Sequence, residues 1–177
     1  MSPQHGFSYP REQFQQIVED CLALARGIGA SYASVEVSEG AGLSVSVRKG
    51  ELENVERNRD KSVGVSIYLG QRRGNASSSD FSAAALQQTV RAAYDIARFT
   101  AEDPVAGLPD PQDVADTYPD LDLFHPWDLS AERAAEIALA CEAAAFATSK
   151  QISNSEGAGV SAQQSHFFVA HMRGGER

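Results

Sequence analysis

Leu43, Val45 and Val47 alternate with Ser44, Ser46 and Arg48, and Val63, Val65, Ile67 and Leu69 alternate with Gly64, Ser66, Tyr68 and Gly70. A period of two sorts side chains onto opposite faces of a strand. Lys49-Gly50 and the stretch Gly70 to Gly74 supply turn chemistry between such runs. The pattern predicts an antiparallel β-meander with one apolar face and one small, polar face. A short strand, Tyr32 to Ser38, precedes it, with a turn at Glu39-Gly40-Ala41-Gly42. Within the meander, Glu51 to Arg59 is less regular: Leu52 and Val55 break the alternation, and a β-bulge near Asn54 would return both to the core.

Elsewhere the period is helical. Phe14, Ile17, Val18, Cys21, Leu22 and Ala25 form one stripe, starting near Pro10 and ending at Gly27 and Gly29. Ser82 reads as the N-cap of a second helix to about Thr100, with Leu86, Val90, Ala93 and Ala97 inward and Tyr94 and Phe99 beside them. Asp128 or Ser130 caps a third helix to about Ser149, with Ala134, Ile137, Ala138, Cys141 and Ala145 as its stripe. Between them, residues 103–127 hold five prolines and predict an arm over the surface, ordered by burial of Leu121, Leu123, Phe124 and Trp127. Gln151 to Ser155 and Val160 to His171 predict a C-terminal hairpin around Glu156 to Gly159. The expected architecture is α+β: a meander with flanking helices and a C-terminal hairpin, all within a single domain, 1–177.

The chain has 177 residues, 42% hydrophobic and 22% charged, with a net charge of -9. That balance opposes non-specific nucleic-acid binding, which needs Lys and Arg to neutralise phosphates, and opposes an anionic membrane surface. No apolar run has the length of a membrane span, and the first ten residues lack a signal pattern, so a cytoplasmic location is expected. Cys21 and Cys141 sit at apolar helical positions and read as two buried thiols rather than a redox pair.

Candidate chemistry is sparse. His5, His125, His166 and His171 are scattered without zinc-helix spacing, and His166 and His171, five apart on a strand, point to opposite faces. Glu51, Glu53 and Glu56 read as a solvated strand face balanced by Arg48, Lys49, Arg57 and Arg59 rather than as metal ligands. There is no nucleophile elbow, and the glycine-rich pieces do not match a phosphate loop. Asn75-Ala76-Ser77 fits a glycosylation sequon and reads as polar strand-end sequence.

Four separated stretches, Gly42 to Ser82, Ala92 to Pro104, Tyr118 to Pro126 (YPDLDLFHP) and Ile152 to Ser161 (ISNSEGAGVS), resemble the N-terminal part of the TldD/PmbA family. The resemblance runs from about residue 11 to residue 171. It implies an N-terminal α/β domain that, in the family, leads into a larger C-terminal domain, absent from these 177 residues. In TldD-like members that second domain holds a His-Glu-x-x-x-His zinc helix. The resemblance further implies a heterodimeric metallopeptidase for peptide maturation and for proteolysis of unfolded peptides or an antitoxin. No catalytic residue carries over to this chain, and no cofactor is expected here, zinc being confined to the TldD-like subunit. The expected role is partner contact and substrate-channel surface; the alternative is a non-enzymatic regulatory module, a modulator of DNA gyrase. Expected partners are the TldD-like subunit and a peptide substrate.

Two surfaces follow as expectations. The polar face near Ser44, Ser46, Ser66 and Tyr68 is a candidate groove for an extended peptide. The alternative is that a helix or the proline-rich arm covers it. The last strand, with Phe167, Phe168 and Val169, is a candidate edge for homodimer formation. The alternative there is that Phe167 and Val169 fold inward while Phe168 faces solvent.

Overall fold

Pro10, expected near the first helical position, is instead the N-cap: with φ -74° and ψ 159° it is extended, and the first helix begins at Arg11. The computed structural model describes residues 7–172 except Asp116 and Tyr118; His5, Tyr118 of the YPDLDLFHP motif and the tail 173–177 lie outside the described residues. The elements are α1 (Arg11–Gly27), β1 (Tyr32–Arg48), β2 (Glu51–Leu69), β3 (Arg72–Ser78), α2 (Ala83–Phe99), α3 (Ala131–Thr148) and β4 (Ala158–His171). A short 3-10 turn, Pro111–Asp113, interrupts the proline-rich stretch. The sheet is antiparallel, in the order β3-β2-β1-β4, so the meander and its flanking helices are as the alternation predicts.

Four details differ from the sequence reading. Glu39 to Gly42 is no turn: β1 runs through it as one strand. Gly70-Gln71 alone make the second turn, and Arg72 already begins β3. The C-terminal element is a single strand beside β1, with residues 151–157 outside any strand. Leu52 and Val55 are 56% and 42% exposed, so no bulge returns them to a core.

The chain divides into two compact units. Unit 1 holds residues up to Glu39, Asp60–Leu121 and the chain from His166; unit 2 holds Gly40–Arg59 and Asp122–Ser165. β1, β2 and β4 each contribute to both.

In unit 1 the predicted α1 stripe is buried at every position, against Val35, Val37, Val63, Val65 and Ile67 of the sheet. Ser82 caps α2 by accepting the Ala85 N–H. α2 packs on β3, where Gly74 is decisive: a Cβ there would overlap the Ala93 carbonyl oxygen and the Ala97 amide nitrogen. Helix backbone meets strand backbone at that point. Phe99, at the end of α2, is 84% exposed.

In unit 2 Ser130 caps α3 by accepting the Arg133 N–H at 3.1 Å. Leu43 and Val45 pack with Leu129, Ala134 and the neighbouring Ile137 and Val160. Lys49 and Gly50 both take positive φ, 54° and 78°, as a two-residue hairpin turn requires. The buried row of α3 is Ala134, Ala138 and Glu142, one turn apart; Cys141, expected inside, is exposed. The expected burial of the arm also fails: Leu121, Leu123 and Trp127 are exposed and Phe124 is half-buried. Prolines remove backbone donors and stop this stretch joining the sheet or a helix, so it has few ways to bury its apolar side chains.

Candidate functional site

One face of the unit 1 sheet is covered by α1 and α2; among the described residues no helix covers the other. Because β-strand side chains alternate, Val35, Val37, Val63, Val65 and Ile67 take the covered face. Ser34, Ser38, Ser62, Gly64, Ser66 and Ser77 are left on the other. With Glu36, Arg73, Asn75 and Val169 they line an open trough of about 500 Å³. Ser66 and Asn75 face each other across β2 and β3. The Ser66 hydroxyl donates to Asn75 Oδ1 at 2.7 Å, and Arg73 Nε donates to the same oxygen at 3.0 Å.

The four expected groove residues separate. Ser66 lies in the trough. Tyr68 does not line it: the ring is 5% exposed, with the Arg73 guanidinium 5.8 Å from its centroid. Ser44 and Ser46 belong to unit 2 and are half-buried, Ser44 Oγ lying 3.0 Å from Ser161 Oγ.

Two buried carboxylates that act as structural anchors escape the sequence reading. Glu39 is 3% exposed and accepts the Ser8 N–H at 2.9 and 3.0 Å and the Tyr9 N–H at 3.2 Å. His166 Nε2 sits 3.5 Å from Glu39 Oε2, and its ring lies between Phe7 and Phe14, with centroids at 4.2 and 4.6 Å. Burial pushes the Glu39 carboxyl up, but the Ser8 and Tyr9 hydrogen bonds and His166 outweigh it, holding the group below the ordinary glutamate value. One carboxylate thus fastens the segment before α1 to the sheet. In unit 2, Glu142 does the same for the hairpin turn, accepting the Lys49 and Gly50 N–H groups at 2.9 and 2.8 Å. Signals for both are present in the sequence. Glu39 continues the odd-numbered row Val35, Val37, Ala41, Leu43, and Glu142 stands four residues after Ala138.

Other candidates resolve simply. Glu51, Glu53 and Glu56 are exposed on β2. Among the described residues, no three His, Cys, Asp or Glu side chains gather as metal ligands. Glu39 and His166 are only two, with the carboxylate already committed to backbone N–H groups, so these residues do not fit a zinc site. Cys21 is buried, and burial, with Asp20 adding to it, pushes its thiol up to about 11, which suppresses thiolate chemistry. At the expected association edge, Phe168 is 2% exposed within the core of unit 1, Phe167 is 60% exposed, and Val169 lines the trough. The alternation is thus opposite to one in which Phe168 faces solvent. Among the described residues no helix is long and apolar enough to cross a membrane.

Comparison with known proteins gives this geometry a family. Residues 33–97 match PmbA/TldA metallopeptidase domain 1. The Escherichia coli O157:H7 protein named Metalloprotease PmbA is 45% identical over 159 residues, covering 90% of this chain and 34% of the relative. The chain spans about a third of the length of the curated relatives it matches. Among solved structures, a proposed modulator of DNA gyrase from Bacteroides thetaiotaomicron superposes with a TM-score of 0.75 at 18% identity, over 95% of this chain and 38% of that one. TldE from Thermococcus kodakarensis superposes with a TM-score of 0.71 at 14% identity, over 91% and 36%. At those identities the structures speak for the fold, and the bacterial relatives for descent. The chain belongs to the PmbA/TldD family, and what it carries is that family's first, N-terminal domain.

Proposed function

We propose that this domain is a non-catalytic, substrate-guiding part of a PmbA-type peptidase. The open face of the unit 1 sheet receives an extended peptide, and a TldD-like subunit supplies the zinc and the cleavage. The observation that carries the reading is the bare trough: serines and Gly64 leave the sheet backbone nearly level, so a strand-like ligand can lie close. A folded substrate would not fit a shallow surface of this kind; an unstructured peptide would.

A second reading, a regulatory module without proteolysis, is favoured by the gyrase-modulator description of the Bacteroides structure. With a net charge of -9 such a module would engage a basic protein rather than DNA.

Co-purification with a TldD-like subunit, followed by cleavage of an unstructured peptide, separates the two. A Cβ at Gly64 meets nothing within 4 Å, so Gly64→Tyr keeps the fold while filling the trough. The expected result is stable co-purification and, for Gly64→Tyr, a rise in KM of about tenfold with little change in kcat, the pattern of lost binding surface. Failure to associate, or unchanged kinetics in the variant, would refute the proposal.

A further inference from the structure

We propose, on the reading of the unit 1 trough as a peptide site, that Arg73 and Asn75 form a carboxylate-binding subsite on its β3 side. The subsite anchors an extended peptide by one of its carboxylate groups. Both residues line the trough and both are exposed. Arg73 lies opposite Tyr68 in the β2–β3 register, and Asn75 lies opposite Ser66. The guanidinium is 5.8 Å from the centroid of the Tyr68 ring, which is buried and so offers a fixed support. Arg73 Nε donates to Asn75 Oδ1 at 3.0 Å, and Nη2 reaches Ser66 Oγ at 3.4 Å. Ser66 Oγ in turn donates to the same Asn75 oxygen at 2.7 Å. Three neutral side chains thus hold one exposed arginine in place.

The polar groups this ring leaves over are donors. A guanidinium has five N–H groups. Asn75 accepts from Nε and Ser66 from Nη2, which leaves both N–H groups of Nη1 and one of Nη2. Asn75 Oδ1 is occupied twice, and its Nδ2 group donates to nothing among the described residues. A planar fork with amide donors beside it matches a carboxylate, which accepts through two oxygens.

Charge selects in the same direction. Arg72, Arg91 and Arg98 of the same unit each pair with a carboxylate, Arg72 with Glu102 and the other two with Asp95. Arg73 has no such partner among the described residues. Glu36 of β1 is the one carboxylate in the trough lining, and it too makes no ion pair among the described residues. β1 and β3 are two strand spacings apart, roughly 10 Å, so salt weakens the field of Glu36 at Arg73. Glu36 also repels a carboxylate on its own side, which leaves the β3 side as the anchoring end.

A peptide carries carboxylates in two places, at its C-terminus and on Asp or Glu side chains. Three acetylated hexapeptides of Ser and Ala distinguish them: one with a free C-terminus, one amidated, and one amidated with a central Glu. Each is titrated into the whole chain and followed by the backbone amides of the trough and by the Arg73 Nε–H and Asn75 Nδ2 signals. A free C-terminus, the central Glu, or both should tighten binding over the plain amidated peptide by about fivefold, the upper end for an exposed ion pair. The same peptides should shift the Arg73 and Asn75 side-chain signals. Whichever carboxylate tightens binding names the source. In Arg73→Gln the three peptides should bind alike, a pattern that loss of fold would not give. Arg73→Lys keeps the charge without the fork and should retain part of the gain. Gly64→Tyr, by contrast, should weaken all three together. Equal affinity of all three peptides at the trough, or a gain that survives in Arg73→Gln, would overturn the subsite and leave the trough standing as a peptide site. If no peptide shifts the trough amides, both fall.

Discussion

Gly74→Val should be the most damaging single substitution in unit 1, lowering the unfolding free energy by at least about 3 kcal/mol. Nothing in the backbone forbids valine there, since Gly74 is not among the residues with positive φ. The cost is steric. The added Cβ meets the Ala93 carbonyl oxygen and the Ala97 amide nitrogen, and these are helix backbone atoms that cannot rotate away as a side chain would. α2 must lift from β3, and with it Leu86, Val90, Ala93 and Ala97 lose part of their contact with the core. Gly64, ten residues earlier, faces open space, so Gly64→Val should change stability by less than about 1 kcal/mol. Urea unfolding of both variants checks the contrast. A Gly74→Val protein as stable as the parent would mean that α2 does not pack on β3 at that closeness.

Glu39→Gln should cost about 3 kcal/mol at neutral pH, with a loss that depends on acidity. The amide keeps one oxygen, but its NH2 group faces N–H donors that the second carboxylate oxygen accepted. The pH dependence follows from the depressed pKa. A carboxyl whose folded pKa lies below its unfolded value adds stability above the unfolded value, and that stability is lost as pH falls through the folded one. The gap between parent and Glu39→Gln should therefore be full at pH 7 and shrink as the solution is taken below the ordinary glutamate range. Two contacts accompany the anchor: the Tyr9 hydroxyl accepts from Lys61 Nζ at 2.6 Å, and His166 Nε2 lies 3.5 Å from Glu39 Oε2. A gap that stays constant into acid would show that the carboxylate charge contributes nothing.

Much of this fold was legible because burial followed simple periods. The α1 stripe came out at every position, and Ser82 and Ser130 cap the helices they were expected to cap. The trough was partly legible: alternation placed Ser66 on the polar face, but not the closing of Tyr68 beneath Arg73, which depends on a cross-strand partner. What failed was mostly polar residues at core positions. Glycines around Glu39 looked like turn chemistry, yet Gly40 and Gly42 lie in a continuous strand whose alternation Glu39 keeps. Cys141 looked more apolar than Glu142, but a carboxylate with two backbone donors can be buried where a thiol has none to satisfy. The arm misled for the opposite reason, since apolar residues there suggested burial that unit 2 does not provide.

Amide chemical-shift mapping, with an unstructured peptide titrated into the chain, reads out directly whether the open face of the unit 1 sheet receives an extended peptide. Saturable shifts are expected at Ser34, Ser66, Asn75 and Ser77, abolished in Gly64→Tyr, with the outer positions Gln87 and Arg91 of α2 unmoved. Saturable binding that leaves the trough residues unshifted, or no binding at millimolar peptide, would contradict it.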